Sequence, residues 1–200
     1  MSATKETINT LWQASTESLK SKLLEILAKQ SYKEGKFTLV SGKESNFYLD
    51  GKQTSLDAEG GTIISILFLR MLKENIGAVG GISVGADPLS SGVSQVGFLL
   101  GKKIHAFYVR KEPKKHGTSK WIEGPIKIGS SVAILEDVVT TGGSSLKAIE
   151  KVTEFGCSVK QVLAVVDRNE GGRETFKQKG LDYNYLFDIK EVIEKAKKAN

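Results

Sequence analysis

Two hundred residues, 40% of them apolar, are enough to bury one substantial core, so the default expectation is one domain spanning 1–200. No run of eighteen apolar residues occurs, and the stretch MSATKETINTLWQAS lacks the basic start and apolar core of a secretory signal, so the expectation is a cytoplasmic protein with no membrane partner. A net charge of +6 favours anionic partners, and a single cysteine, Cys157, with no metal-ligand spacing around it excludes disulfides and structural zinc.

In chain order, Leu19, Leu23, Leu24, Ile26 and Leu27 recur at helical spacing and predict an amphipathic helix over 15–30, closed by Gly35. The run FTLVSGKESNFYLD, from Phe37 to Asp50, predicts two short strands around a Ser-Gly-Lys turn. From Asp57 a long helix is expected, burying Ile63, Ile64, Leu67, Phe68, Met71 and Leu72 and ending at Asn75 and Gly77. Strands over 80–84, 104–109, 132–135, 159–166 and 183–187 follow, with helices over 89–100 and 144–155, a polar loop after 109 and a closing helix. Short apolar runs alternating with helices specify an α/β fold whose parallel sheet is covered on both faces.

The polar residues fall at one end of those strands. Gly85-Ala86-Asp87, Arg110-Lys111, Glu136-Asp137 and Asp167-Arg168 each follow a strand, and in a parallel sheet all carboxyl ends share one edge, where ligands bind. His105 lies inside an apolar strand and reads as a packed core residue.

The segment VAILEDVVTTGGSS, Val132 to Ser145, carries the chemistry. Its loop, Thr140 to Ser144, offers backbone N–H groups and hydroxyls at a helix N-terminus, a cradle for phosphate. Glu136 and Asp137 would repel phosphate but accept hydrogen bonds from vicinal sugar hydroxyls, so the segment suits a ribose 5-phosphate. There is neither a GxxxxGK[ST] nor a GxGxxG after a strand, which removes the P-loop and the dinucleotide fingerprint. The bland reading is an ordinary strand-loop-helix with acids facing water.

This run resembles the phosphoribosyl pyrophosphate (PRPP) motif of the type I phosphoribosyltransferases. The resemblance implies a parallel sheet flanked by helices, with a small hood from about 15–50 over its C-terminal edge and a core from about 57–200. It also implies that Glu136, Asp137, Val138, Val139, Thr140, Thr141, Gly142, Gly143 and Ser144 contact PRPP. The run RKEPKKHG resembles the catalytic lid of the orotate phosphoribosyltransferases, a loop whose Pro113, Gly117 and Gly124 suit closure over a site. Through that family, Arg110, Lys111, Lys114 and His116 are expected on PRPP, with Lys114, Arg110, His116 and Asp137 carrying catalysis. Tyr48, Thr140 and Arg168 match positions that contact orotate, the arginine as a fork for its carboxylate. A solvated basic hairpin, a core position for Tyr48 and a salt bridge of Arg168 with Asp167 or Glu170 are the bland alternatives.

The resemblance further implies orotidine 5′-monophosphate as product, in pyrimidine biosynthesis, and Mg²⁺ as cofactor, carried by PRPP rather than by direct protein ligands, with Asp87 a candidate to reach it through water. It implies a homodimer whose lid is shared between subunits. The chain departs from the family at Val40, where many members carry a lysine and Lys43 is the candidate replacement. It departs again in SVGADPLSSG, Ser83 to Gly92, which has no lysine. Two rivals stand beside this reading: a phosphoribosyltransferase for another base, and a non-catalytic PRPP sensor that binds nucleic acid. Against nucleic acid, only Trp121 accompanies the basic run, without stacking platforms.

Overall fold

The computed structural model describes residues 2–38, 44–113 and 120–199. Among these, the strands β3 (Ala78–Ile82), β4 (His105–Val109), β5 (Ile122–Glu123), β6 (Ser131–Val139), β7 (Ser158–Asp167) and β8 (Tyr183–Asp188) form a six-stranded sheet in the order β5-β4-β3-β6-β7-β8. All neighbours are parallel except β5, which returns antiparallel along β4. The expected parallel sheet is therefore present, with β5 as an edge strand that its two residues were too short to announce.

Strand alternation divides the core into two clusters. In β6, Ala133 and Leu135 join the cluster built on α2 (Thr16–Ile26), α4 (Ala58–Met71), α5 (Ala86–Leu99) and α8 (Ile189–Ala199). Val132 and Ile134 point the other way, toward α6 (Gly143–Glu154) and α7 (Gly172–Gln178). Gly80 shows how tightly the centre is packed. A Cβ there would lie 2.3 Å from the Phe107 carbonyl oxygen on the paired strand. Gly80→Ala is therefore expected to cost about 3 kcal/mol or more, read as a lowered urea midpoint.

The chain runs from β3 outward to β4, then crosses back to β6 on the other side of β3. The switch point thus lies between β3 and β6, so the loops after these two strands frame a crevice. A second, two-stranded antiparallel sheet, β1 (Tyr32–Thr38) with β2 (Glu44–Leu49), precedes the large one.

Several boundaries differ from expectation. The helix expected over 15–30 is α-helical to Ile26 and then widens into a π turn, Leu27–Ser31. Gly35 does not close it, because β1 begins at Tyr32 and Gly35 sits at the irregularity in its pairing with β2. The long helix starts where expected, with Asp57 Oδ1 accepting the N–H groups of Glu59 and Gly60. It ends at Met71, so Met71 and Leu72 are only partly buried. Helix α1 (Ser2–Gln13), the short α3 (Gly51–Ser55) and α7 were not anticipated. His105 opens β4 and is partly exposed rather than buried in the core. No helix among the described residues is long and apolar enough to cross a membrane.

Candidate active site

The acid pair lies near the C-terminal end of β6, at the switch point. Glu136 is 5% exposed, and its Oε1 accepts a hydrogen bond from Ser145 Oγ at 2.9 Å. Burial pushes its pKa up to about 7, with neighbouring Asp137 raising it further and Ser145 and Ser144 opposing. The Asp137 carboxyl is raised too, chiefly by burial, with the Lys52 ammonium holding it down. Asp137 is also confined sterically. A Cβ on Gly51 would approach its Cβ to 2.9 Å, and one on Gly85 its Oδ1 to 2.7 Å. The junction from β2 to α3 and the loop from β3 to α5 thus close on one carboxylate.

An acid whose folded pKa exceeds its unfolded value contributes stability below the unfolded value and loses it as pH rises toward the folded one. Between about pH 4.5 and 7 Glu136 is expected to lower unfolding free energy by roughly 3 kcal/mol in total. Glu136→Gln should flatten that decline, which chemical denaturation of both proteins at pH 5 and pH 8 will measure.

Beyond the acids, Val138 to Thr140 lead into a tight turn. Gly142 adopts φ 84, a left-handed conformation, and caps α6 without a side chain, leaving first-turn N–H groups directed outward. It also has no room for a Cβ, which would meet Phe176 Cζ at 3.0 Å. A Cβ on Gly143, by contrast, would make only an ordinary contact with Thr141 Oγ1 at 3.8 Å, and Gly143, Thr141 and Ser144 are exposed. The expected phosphate loop is a helix N-terminus with a clear approach.

The loop after β7 rides on this turn. Arg168 N–H donates to the Val139 carbonyl at 2.9 Å and Gly172 N–H to the Thr140 carbonyl at 3.0 Å. A Cβ on Gly172 would sit 2.5 Å from Val139 Cγ1. The Arg168 side chain is 8% exposed and lies with its Cζ 4.9 Å from the Phe47 ring centroid. Its Nε is 2.9 Å from Glu170 Oε1, but off the N–H axis, so the pair is ionic without a hydrogen bond. The bland alternative for Arg168 is thus present with Glu170 and not with Asp167, whose carboxylate faces Tyr183, Asn169 and Arg173.

The structure does not set Tyr48 against Arg168. Neighbours on a strand point to opposite faces, so Phe47 turns inward while Tyr48 is 40% exposed with its ring against Phe37. Arg110 stands at the end of β4, its N–H on the Trp121 carbonyl and its Nη1 3.5 Å from Glu123. Lys111 is tied by its carbonyl to Lys147 Nζ on α6 at 3.0 Å. Asp87, in the first turn of α5, accepts from Ser83 Oγ at 2.9 Å. Lys114, His116, Val40 and Lys43 lie outside the described residues. Among those described, no group of three or more His, Cys, Asp or Glu side chains is placed to hold a metal ion.

Two residues near the expected ones were not anticipated. Phe47 lies against Arg168, on the strand face opposite to Tyr48. Lys52 pairs with Asp50 Oδ1 at 2.5 Å and acts electrostatically on Asp137. The signal for it was the run Asp50-Gly51-Lys52 directly after β2.

No family model matches the chain. The orotate phosphoribosyltransferase of Synechocystis sp. is 44% identical over 171 residues, 85% of this chain and 86% of that protein. The orotate phosphoribosyltransferase of Mycobacterium tuberculosis is similar in structure, with a TM-score of 0.79 and 32% identity for its complex with Fe(III) dicitrate. Its complex with 5-phospho-α-D-ribosyl 1-diphosphate gives a TM-score of 0.75 and 30% identity. Both cover 87% of this chain and 98% of the mycobacterial one.

Proposed function

Since the chain belongs to the orotate phosphoribosyltransferase family, we propose that it transfers the ribose 5-phosphate of PRPP to orotate, giving orotidine 5′-monophosphate and pyrophosphate. The observation that carries this is the coupling of a buried acid pair and phosphate-type turn to the loop that presents Arg168, through Val139 and Thr140. One ligand spanning both must join a sugar phosphate to a group bearing a carboxylate.

In this reading the 5-phosphate accepts from the N–H groups and hydroxyls of Thr140 to Ser144, with Val138 and Val139 lining the approach. Glu136 and Asp137 accept from the ribose hydroxyls. Burial raises both carboxyls, Glu136 to about 7, and the negative charge of the ionised acids favours a cationic anomeric carbon. Orotate N1 forms a bond to that carbon as the carbon's bond to the pyrophosphate oxygen breaks, and the N1 proton passes to the departing pyrophosphate or to solvent. Arg168 and Thr140 hold the base, with Phe47 and Tyr48 as the aromatics nearest in sequence to the pocket. Lys114, with Arg110, Lys111 and His116, neutralises or protonates the departing pyrophosphate. The carboxylates here are hard oxygen donors of the kind Mg²⁺ takes, and Asp87 would be the residue to hold an ion carried by PRPP, through water. When bound, the ion supplies charge neutralisation on the leaving group.

Incubating the protein with PRPP, Mg²⁺ and orotate, uracil or a purine, and following the base absorbance, tests the assignment. Turnover of orotate is expected, and turnover of another base alone would replace it. The same reading includes a cytoplasmic homodimer with shared lids. Mixing an Asp137→Ala subunit with a Lys114→Ala subunit should then restore activity, and no recovery would argue against sharing.

A further inference from the structure

Arg168 is followed by a residue whose conformation is held by two carboxylates, one of them wholly buried. Asn169, after it, has φ 57 and is the sole non-glycine residue with positive φ among those described. That left-handed conformation is unfavourable for most side chains and tolerated by asparagine. It reverses the chain after β7 so that Gly172 returns over Thr140.

Two acids stabilise the reversal. Asp167, 0% exposed, accepts the Asn169 N–H on Oδ1 at 2.7 Å. Asp188 Oδ2 accepts Asn169 Nδ2 at 2.7 Å and Arg173 Nη2 at 2.9 Å. The other oxygen of Asp167 accepts the Tyr183 hydroxyl at 2.7 Å, with Arg173 Nε 3.3 Å away but poorly aligned. A wholly buried carboxylate is costly unless its donors are in place, so the Tyr183 hydroxyl keeps Asp167 in the orientation that holds Asn169.

We propose that Asp167, Asn169 and Tyr183 are positioning residues that aim Arg168 at the carboxylate of the base, a claim that rests on the base-site reading above. Asp167 holds the turn, Asn169 supplies its left-handed residue, and Tyr183 locks the carboxylate from the neighbouring strand. The hydroxyl is separable from the ring. The Tyr183 ring packs on Phe176 at 4.6 Å between centroids, and Phe176 in turn lies under Gly142. Phenylalanine at 183 preserves that support of the phosphate turn and removes only the bond to Asp167. The turn's own hydrogen bonds, Leu146 N–H to Gly142 and Ser145 to Glu136, do not involve position 183.

The test is steady-state kinetics on Tyr183→Phe, Asn169→Gly and Asn169→Ala. Tyr183→Phe should raise KM for orotate roughly tenfold, the weight of one hydrogen bond to a charged group, while KM for PRPP changes by less than about twofold. Asn169→Gly, which accepts positive φ, should raise it less than Asn169→Ala, which does not. An unchanged orotate KM in Tyr183→Phe, or equal rises in both KM values, would overturn the proposal. Arg168→Ala in the same assay separates the two levels. If it leaves the orotate KM unchanged, the base-site reading fails and takes the proposal with it. If it raises that KM while Tyr183→Phe does not, the positioning proposal fails alone.

Discussion

Lys114→Ala is expected to lower kcat by roughly a hundredfold or more while leaving the melting temperature unchanged. The size follows from how the other cations of the site are already engaged. Arg110 faces Glu123, Lys52 is held by Asp50, Arg168 faces Glu170, and Lys147 is bound to the Lys111 carbonyl and to the Trp121 ring. Pyrophosphate leaves with added negative charge on its oxygens. In a water-poor site a preorganised cation acting on charge that grows only in the transition state lowers the barrier without tightening the ground state. In the proposed mechanism the lid lysine meets that charge, while Lys111 is held through its carbonyl by Lys147 on α6. Lys111→Ala should therefore cost less than Lys114→Ala. Equal turnover of Lys114→Ala and the parent protein, with both folded by circular dichroism, would remove the lid from the mechanism.

Mg²⁺ dependence gives a partly independent check on the same charge. If Mg²⁺ is carried by PRPP as proposed, chelator-treated protein should regain turnover on Mg²⁺ addition, and the gain should persist in Lys114→Ala at its lower level.

Much of the architecture was legible because it rests on apolar runs that tertiary packing reinforces. Val132 to Leu135 is buried on both faces, as a central parallel strand must be, and the acids at 136 and 137 mark where it leaves the core. Asp57 announced its helix through the capping bond it makes. What stayed hidden depended on partners distant in sequence. The strand Tyr32–Thr38, YKEGKFT, is polar and mostly exposed, and it is a strand because β2 pairs with it. Helix α7 buries Phe176 and Gly172 alone, too few for a period to show. That Phe47 lies against Arg168 follows from strand phase, which the amino-acid pattern alone did not supply. Lys52 and the Asp167–Tyr183 bond join elements separated in the chain, and their effect on the site exists only once β6, β7 and β8 are side by side.

Arg168→Ala is expected to raise KM for orotate roughly a hundredfold or more, corresponding to about 3 kcal/mol for truncating one partner of a desolvated charge pair. The guanidinium is 8% exposed, its Nε–H lacks an aligned acceptor, and one face is covered by Phe47. Glu170 balances its charge without satisfying its fork, so an incoming planar carboxylate gains two parallel hydrogen bonds that the protein alone does not provide. Lysine at 168 should recover a minor part, since an ammonium supplies charge but no fork and stacks poorly on a ring. The ratio of orotate to uracil turnover is the sharper measurement. If Arg168 reads the carboxylate, its loss lowers kcat/KM for orotate and leaves that for uracil near its parent value, so the ratio falls. An unchanged ratio would mean that the carboxylate is recognised elsewhere, and that Arg168 serves the fold through Glu170 and Phe47.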